Sequence, residues 1–269
     1  MKNYLLFVAI ILQTPFLLGQ QLKNALDDGR KIKIPVVFHV IFSNEKENVS
    51  DSLILSELKD LNLDFVQKND MILLDHDFQN LVGNPNLEFY LLNTSFQTGK
   101  GGIQRISSKK FKNRNELLID PTNCLNVFIA RQGNNTPTIG AENGENWVNL
   151  NYKDVGTNGH ALTHETGHWL GLYHIFGQVG NSSLWNKVFG NSDDLIDDTP
   201  KQKGATAICY EIKKDCPCPP KNINYKNHKR LYNNFMDYNP CRCMFTIGQS
   251  IQMRNKIIEN RRKLFDNSK

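Results

Sequence analysis

The 269-residue sequence has no apolar run near the roughly 20 residues that a membrane-spanning helix needs, and the run Leu5 to Leu12 is only eight long. It has no internal repeats and no low-complexity tract, which excludes solenoid and fibrous classes. It has little excess of one charge: the formal net charge is +5, and the basic residues are scattered. Short basic runs at 109–114 and 261–263 read as solvated faces, so no nucleic-acid partner is expected. No cysteine precedes Cys124, which argues against a lipid anchor after the apolar run. What remains, 39% hydrophobic and 10% aromatic residues, suits one large globular domain or two halves around a cleft.

The N-terminus has the layout of a secretory signal. Lys2 precedes the apolar run, Gln13-Thr14-Pro15 interrupts it, and Leu17-Leu18-Gly19 offers a cleavage site. Residues 1–19 are therefore expected to be a signal peptide, 20–31 a short polar leader, and the mature chain secreted. Six cysteines suit an oxidising compartment. Cys209, Cys216, Cys218, Cys241 and Cys243 fall within 35 residues, while Cys124 stands alone. Two disulfides in an irregular region are expected; a four-thiolate structural zinc site built from the two C-x-C pairs is the alternative.

Regular structure is expected in the first two thirds. Ile32 to Phe42 reads as a buried strand, with Pro35 suggesting an edge or entrance position. Ser50 or Asp51 can cap a helix whose stripe is Leu53, Ile54, Leu58, Leu61 and Phe65. Leu87 to Leu92, the segment around Ile103, Leu125 to Ala130, and Trp147 to Asn151 read as further strands. Residues 178–234 show no sustained periodicity, and from Gln249 onward Ile251, Met253, Ile257, Ile258 and Leu264 can line a terminal helix.

The chemistry concentrates in His164-Glu165-Thr166-Gly167-His168-Trp169-Leu170-Gly171-Leu172-Tyr173-His174. On a helix, His164 and His168 project from one face and reach one metal. Glu165 is placed to take a proton from a zinc-bound water. Gly171 can adopt the positive φ that stops the helix, which lets His174 supply a third nitrogen and leaves a fourth position open. HExxH alone arises by chance in roughly 3% of chains this long, and with Gly171 and His174 in roughly one in ten thousand. His39, His76 and His228 have no motif around them, and His160 lies one turn before His164.

The long pattern HExxHxxGxxH resembles the metzincin metallopeptidases, which carry a methionine turn beneath the metal. Together, HETGHWLGLYHIFG, DDTPKQ, and NNFMDY followed by CMFTIGQ resemble the pappalysin family, from about Lys33 to about Met253. The resemblance implies that Met236 is the methionine of that turn, preferred over Met244 because Tyr238 follows it. It implies that Tyr238 lies near the metal and donates to the developing oxyanion, with packing beneath the site as the alternative. It also implies a disulfide at Cys241 or Cys243, and calcium near Asp193, Asp194, Asp197, Asp198 and Thr199, for which a solvated acidic loop is the alternative. Related proteases often carry a substantial pro-segment, whereas only about a dozen residues follow the expected cleavage site; Asp27 or Asp28 could cap the metal, but a flexible leader is expected.

The resulting expectation is an α+β fold of metzincin type. A twisted mixed sheet with a backing helix and a zinc-binding helix (32–176) leads into an irregular, disulfide-stapled half (177–269), together a catalytic domain over 32–269. The expected activity is that of a secreted, monomeric zinc endopeptidase acting on protein or peptide substrates, with Glu165 as base. The alternatives are an inactive zinc-stabilised binding or adhesion protein and a non-peptidase zinc hydrolase.

Overall fold

A computed structural model describes residues 29–94, 99–131, 146–157, 159–177, 193–206, 218–221 and 223–268. The expected signal peptide, Asp27, Asp28, Cys209 and Cys216 lie outside the described residues.

The sheet is organised by β1, Ile32–Phe42. Ile32, Ile34, Val36, Phe38 and Val40 alternate onto the main core face and are fully buried. The following strands are β2 (Leu87–Leu91), β3 (Gly99–Lys100), β4 (Ile103–Ser107), β5 (Leu125–Ala130) and β6 (Trp147–Asn151). Their order is β3-β4-β1-β5-β6, with β2 also pairing with β1. All pairs are parallel except β3 with β4. β1 is thus central, so of the two positions that Pro35 suggested, edge or entrance, the entrance is the one found. Even-numbered residues of β1 turn their backbone groups toward β2 and β4: Leu92 N–H donates to Val36 O, and Phe38 N–H to Gly102 O. Pro35 therefore faces the opposite edge, where pairing with β5 begins only at Val36, so its missing donor costs no ladder bond.

Two helices pack on this sheet. In α1, Asp51–Phe65, the Ser50 hydroxyl accepts from Leu53 N–H, and Ile54, Leu58, Leu61 and Phe65 form the buried stripe. Leu53, expected on that stripe, is instead 42% exposed, because it sits one position off the 54-58-61-65 repeat. α2, Ala161–Trp169, carries the histidine motif.

The C-terminal region is held by long-range contacts more than by local periodicity. The two-residue strand Phe245–Thr246 pairs antiparallel with Val82–Gly83. Thr246 and Gln249 then form a reciprocal capping box at the start of α3, Ile247–Asn260. That helix starts two residues earlier than expected and leaves Ile251 exposed. It stops before Arg261, and a separate short helix, α4 (Arg262–Asp266), carries Leu264. The Arg261 guanidinium is buried 3.6 Å from the centre of the Trp169 ring and donates to the Trp169 carbonyl at 3.4 Å. The chain end thereby braces the C-terminus of α2. Cys218 and Cys241 form a disulfide, which selects Cys241 over Cys243 and removes both from any four-thiolate zinc site. Cys124 and Cys243 are buried thiols. Among the described residues no helix is long and apolar enough to cross a membrane.

Candidate metal centre

α2 begins and ends abruptly, and both ends bear on the site. At its start His160 adopts φ +53° with no side-chain cap of its own. Two carboxylates from α1 serve instead. Glu57 accepts from Gly156 N–H at 2.8 Å and also from the backbone of Leu162. Asp64 accepts from His160 Nδ1 at 2.8 Å and from the Thr163 hydroxyl at 2.5 Å. Burial pushes the Glu57 carboxyl above its ordinary range. At the other end Gly171 has φ +89°. Leu172 N–H donates to Gly167 O, and Gly171 N–H to His168 O, the paired bonds of a Schellman stop. The reversal expected at Gly171 is therefore present, and it carries the chain back to His174.

The three Nε2 atoms of His164, His168 and His174 lie 3.1–3.2 Å from one another. A tetrahedral zinc ion with bonds of about 2.0–2.1 Å spaces its ligand nitrogens about 3.3–3.4 Å apart, so the triangle fits zinc with little adjustment. The opposite ring nitrogens are committed: His164 Nδ1 donates to Phe235 O at 2.7 Å, and His168 Nδ1 to Leu172 O at 2.8 Å. Those bonds fix the tautomer that aims Nε2 at a metal. His174 stacks on Phe176, with the ring centres 4.8 Å apart and the planes nearly parallel. Burial, first of all, holds His164 well below the usual imidazole range, lowers His168, and pushes His174 down to about 2. Neutral imidazoles are the form that binds metal, so the cluster is ready for one at any ordinary pH. Among the described residues, this is the group of three or more His, Cys, Asp or Glu side chains with ligand atoms within 4.8 Å.

The segment after the irregular region closes the site from below. Met236 is fully buried, and a Cβ on Gly167 would sit 2.6 Å from its sulfur, so the thioether lies against the helix where only glycine leaves room. The Tyr238 hydroxyl is 2.7 Å from His174 Nε2. Glu165 is half-buried beside the first histidine. Asn233 and Asn234, both fully buried, hold this segment in place. The Asn233 amide donates to Leu73 O and Cys241 O, and Asn234 exchanges bonds with Gln249.

The acidic loop is arranged differently from the motif. Asp198 accepts from the Thr246 hydroxyl and Gly248 N–H, both at 2.7 Å, so it caps α3. Asp193 pairs with Lys201 at 2.6 Å, and Asp197 is exposed. Asp194 is buried; its Oδ1 accepts from Thr199, while Oδ2 is buried without a hydrogen-bond partner. Burial raises its pKa to about 7. The aspartates of this loop do not converge as a ligand cluster among the described residues.

The family profile described as pregnancy-associated plasma protein-A, a peptidase family, matches residues 108–258, more than half of the chain. The chain belongs to this family. An extracellular metalloprotease of Neurospora crassa is 39% identical over 97 residues, 35% of this chain and 28% of that protein. One from Sordaria macrospora is 35% identical over 99 residues, with the same shares. The matched part of the chain thus spans less than a third of these curated relatives. Among solved structures, mature mirolysin of Tannerella forsythia in complex with a cleaved peptide is 28% identical, with a TM-score of 0.64, covering 83% of this chain and 90% of that one. A promirolysin variant from the same organism is 27% identical, with a TM-score of 0.67, covering 96% and 94%. The mixed α/β fold is accordingly of metzincin type, and the family implies zinc at the three histidines.

Two participants escaped the sequence reading. Gly167 reads as a weak helix residue until Met236 is placed against it. Arg242, between Cys241 and Cys243, carries no motif, yet its guanidinium lies 3.4 Å from His164 Nδ1.

Proposed function

We propose that this chain is a zinc-dependent endopeptidase, exported behind a signal peptide over 1–19, that hydrolyses peptide bonds in protein substrates. The observation that carries the reading is the triangle of three neutral Nε2 atoms with the Tyr238 hydroxyl at its rim. Membership of a peptidase family and relatives named extracellular metalloproteases support it.

His164, His168 and His174 would hold the metal. Zinc, when bound, supplies Lewis acidity to the scissile carbonyl and the attacking water. Glu165 takes the proton of that water and returns it to the leaving amine, a role open to a carboxylate that follows the first ligand directly. Tyr238 donates a hydrogen bond from its hydroxyl to the oxygen on which charge develops. Met236 supports the imidazoles by packing and is not a ligand. The cleft between the 32–176 and 177–269 parts would take the substrate, with the protein acting as a monomer.

Calcium in the acidic loop belongs to the same reading, in reduced form. The buried Asp194 Oδ2 is the group that a cation would satisfy, with Asp197, Asp198 and Thr199 nearby in sequence.

The test is hydrolysis of casein and of denatured collagen by the purified chain, with and without a chelator. Cleavage that stops with chelator and returns with zinc supports the proposal. Stoichiometric zinc binding with no cleavage of either substrate would point instead to an inert binding protein.

A further inference from the structure

Resting on the zinc reading above, we infer that Arg242 is a positioning residue: its forked guanidinium ties the start of α2 to the methionine turn and so fixes the ring of His164. Nη2 donates to Gly159 O at 2.6 Å, just before the left-handed residue His160 that starts the helix. Nη1 donates to Asp237 O at 3.2 Å and, more weakly, to Phe235 O at 3.5 Å. Phe235 O is the same oxygen that accepts the His164 Nδ1 proton at 2.7 Å. One side chain therefore bridges three backbone carbonyls from two segments about 80 residues apart in the chain.

The anchorage of Arg242 suits this role. Cys241 before it is held by the disulfide to Cys218, and its N–H donates to Asn239 Oδ1 at 2.8 Å. Cys243 after it donates its N–H to Asn233 O at 2.8 Å. The backbone is pinned on both sides, so the guanidinium is aimed by a rigid segment. The Phe235 ring also packs 5.1 Å from the His160 ring, which Asp64 holds. The acceptor of the first ligand is thereby clamped between Arg242 and the start of the helix. Groups that orient a ligand from behind typically govern metal affinity by about 10–100-fold.

A fixed cation beside a ligand also repels a metal cation, and that effect opposes the gain from positioning. Charge-matched variants separate the two. Arg and Lys at 242 are both cationic, but Lys offers one point donor and cannot span the three carbonyls. Gln and Met are both neutral, but only Gln keeps an N–H₂ donor. Zinc affinity is measured by competition with a chelator, far below the melting point of each metal-free protein. Wild type should bind zinc about 10-fold or more tightly than Arg242→Lys, and Arg242→Gln at least several-fold more tightly than Arg242→Met. A purely structural role would move the melting point of the metal-free protein and leave zinc affinity alone. If either variant of a pair fails to fold, the other pair decides. Affinities equal within twofold inside the pairs that fold would overturn the inference while leaving the zinc reading intact. Failure of the wild-type chain to bind zinc would overturn both.

Discussion

The Tyr238 hydroxyl lies 2.7 Å from Nε2 of His174, on the metal-facing side of the third histidine. The ring is only partly exposed, and it contacts the rings of His164, His174 and Phe176 at 4.8–5.4 Å. The aromatic body thus packs while the hydroxyl lies beside the converging histidine nitrogens, so the two roles open from the sequence can be separated by one atom.

Tyr238→Phe keeps the packing and removes the donor. If the hydroxyl stabilises the oxyanion, kcat should fall about 10²–10³-fold with KM and zinc content nearly unchanged, because the bond forms mainly in the transition state. Steady-state kinetics on a peptide substrate decides. A fall smaller than about threefold would assign Tyr238 to packing alone.

His174→Ala should lose zinc affinity although HExxH is intact, because the Schellman stop at Gly171 brings that third nitrogen within 3.2 Å of the other two. Metal content after dialysis against a weak chelator is the readout. Full occupancy in the variant would mean that the triangle of Nε2 atoms is not the metal site.

Much of this site was legible in the sequence because its information is local. The 54-58-61-65 stripe, the four-residue histidine spacing and the glycine stop each depend on residues within a few turns of one another. The Ile32–Phe42 strand was equally clear, its long apolar run being that of a strand buried on both faces. The lower half was not legible for the opposite reason. Asn233 satisfies carbonyls at Leu73 and Cys241, Arg261 reaches Trp169, and Arg242 reaches Gly159. Each is a polar residue whose partner lies far away in sequence or in no periodic element, so no window around it signals its role. The acidic loop was only partly legible for a related reason: four aspartates look alike in sequence, yet Asp198 caps α3 and Asp193 pairs with Lys201, while Asp194 keeps a buried oxygen without a hydrogen-bond partner.

Gly167→Ala tests the contact beneath the metal. An alanine should favour a helix by up to about 1 kcal/mol, but its Cβ would meet the fully buried Met236 sulfur at 2.6 Å. Overpacking of about 1–3 kcal/mol should win, giving net destabilisation in urea unfolding. Met236→Ala should be destabilising alone but should relieve part of that cost in the double variant. Simple additivity of the two would show that the side chains do not compete for this space.

Asp194 gives a pH prediction with a definite sign. Its pKa is raised from 3.8 to about 7 by burial, so its stabilising contribution is full below 3.8 and is lost as pH rises through about 7. In calcium-free buffer, Asp194→Asn should therefore gain on wild type by about 2 kcal/mol between pH 5 and pH 8. Denaturant midpoints at the two pH values measure this. Added calcium should reverse the gain by stabilising the ionised wild type alone; no calcium response at pH 8 would remove calcium from the acidic loop.

The most direct test of the central claim is Glu165→Ala, with zinc content and peptide hydrolysis measured on the same preparation. The ligand nitrogens and their second bonds to Phe235 and Leu172 are untouched by this change. Zinc should remain near one per chain, with the fold intact and turnover reduced by about 10²–10⁴-fold or more. Full zinc occupancy with a rate close to wild type would contradict the assignment of Glu165 as the base that activates water.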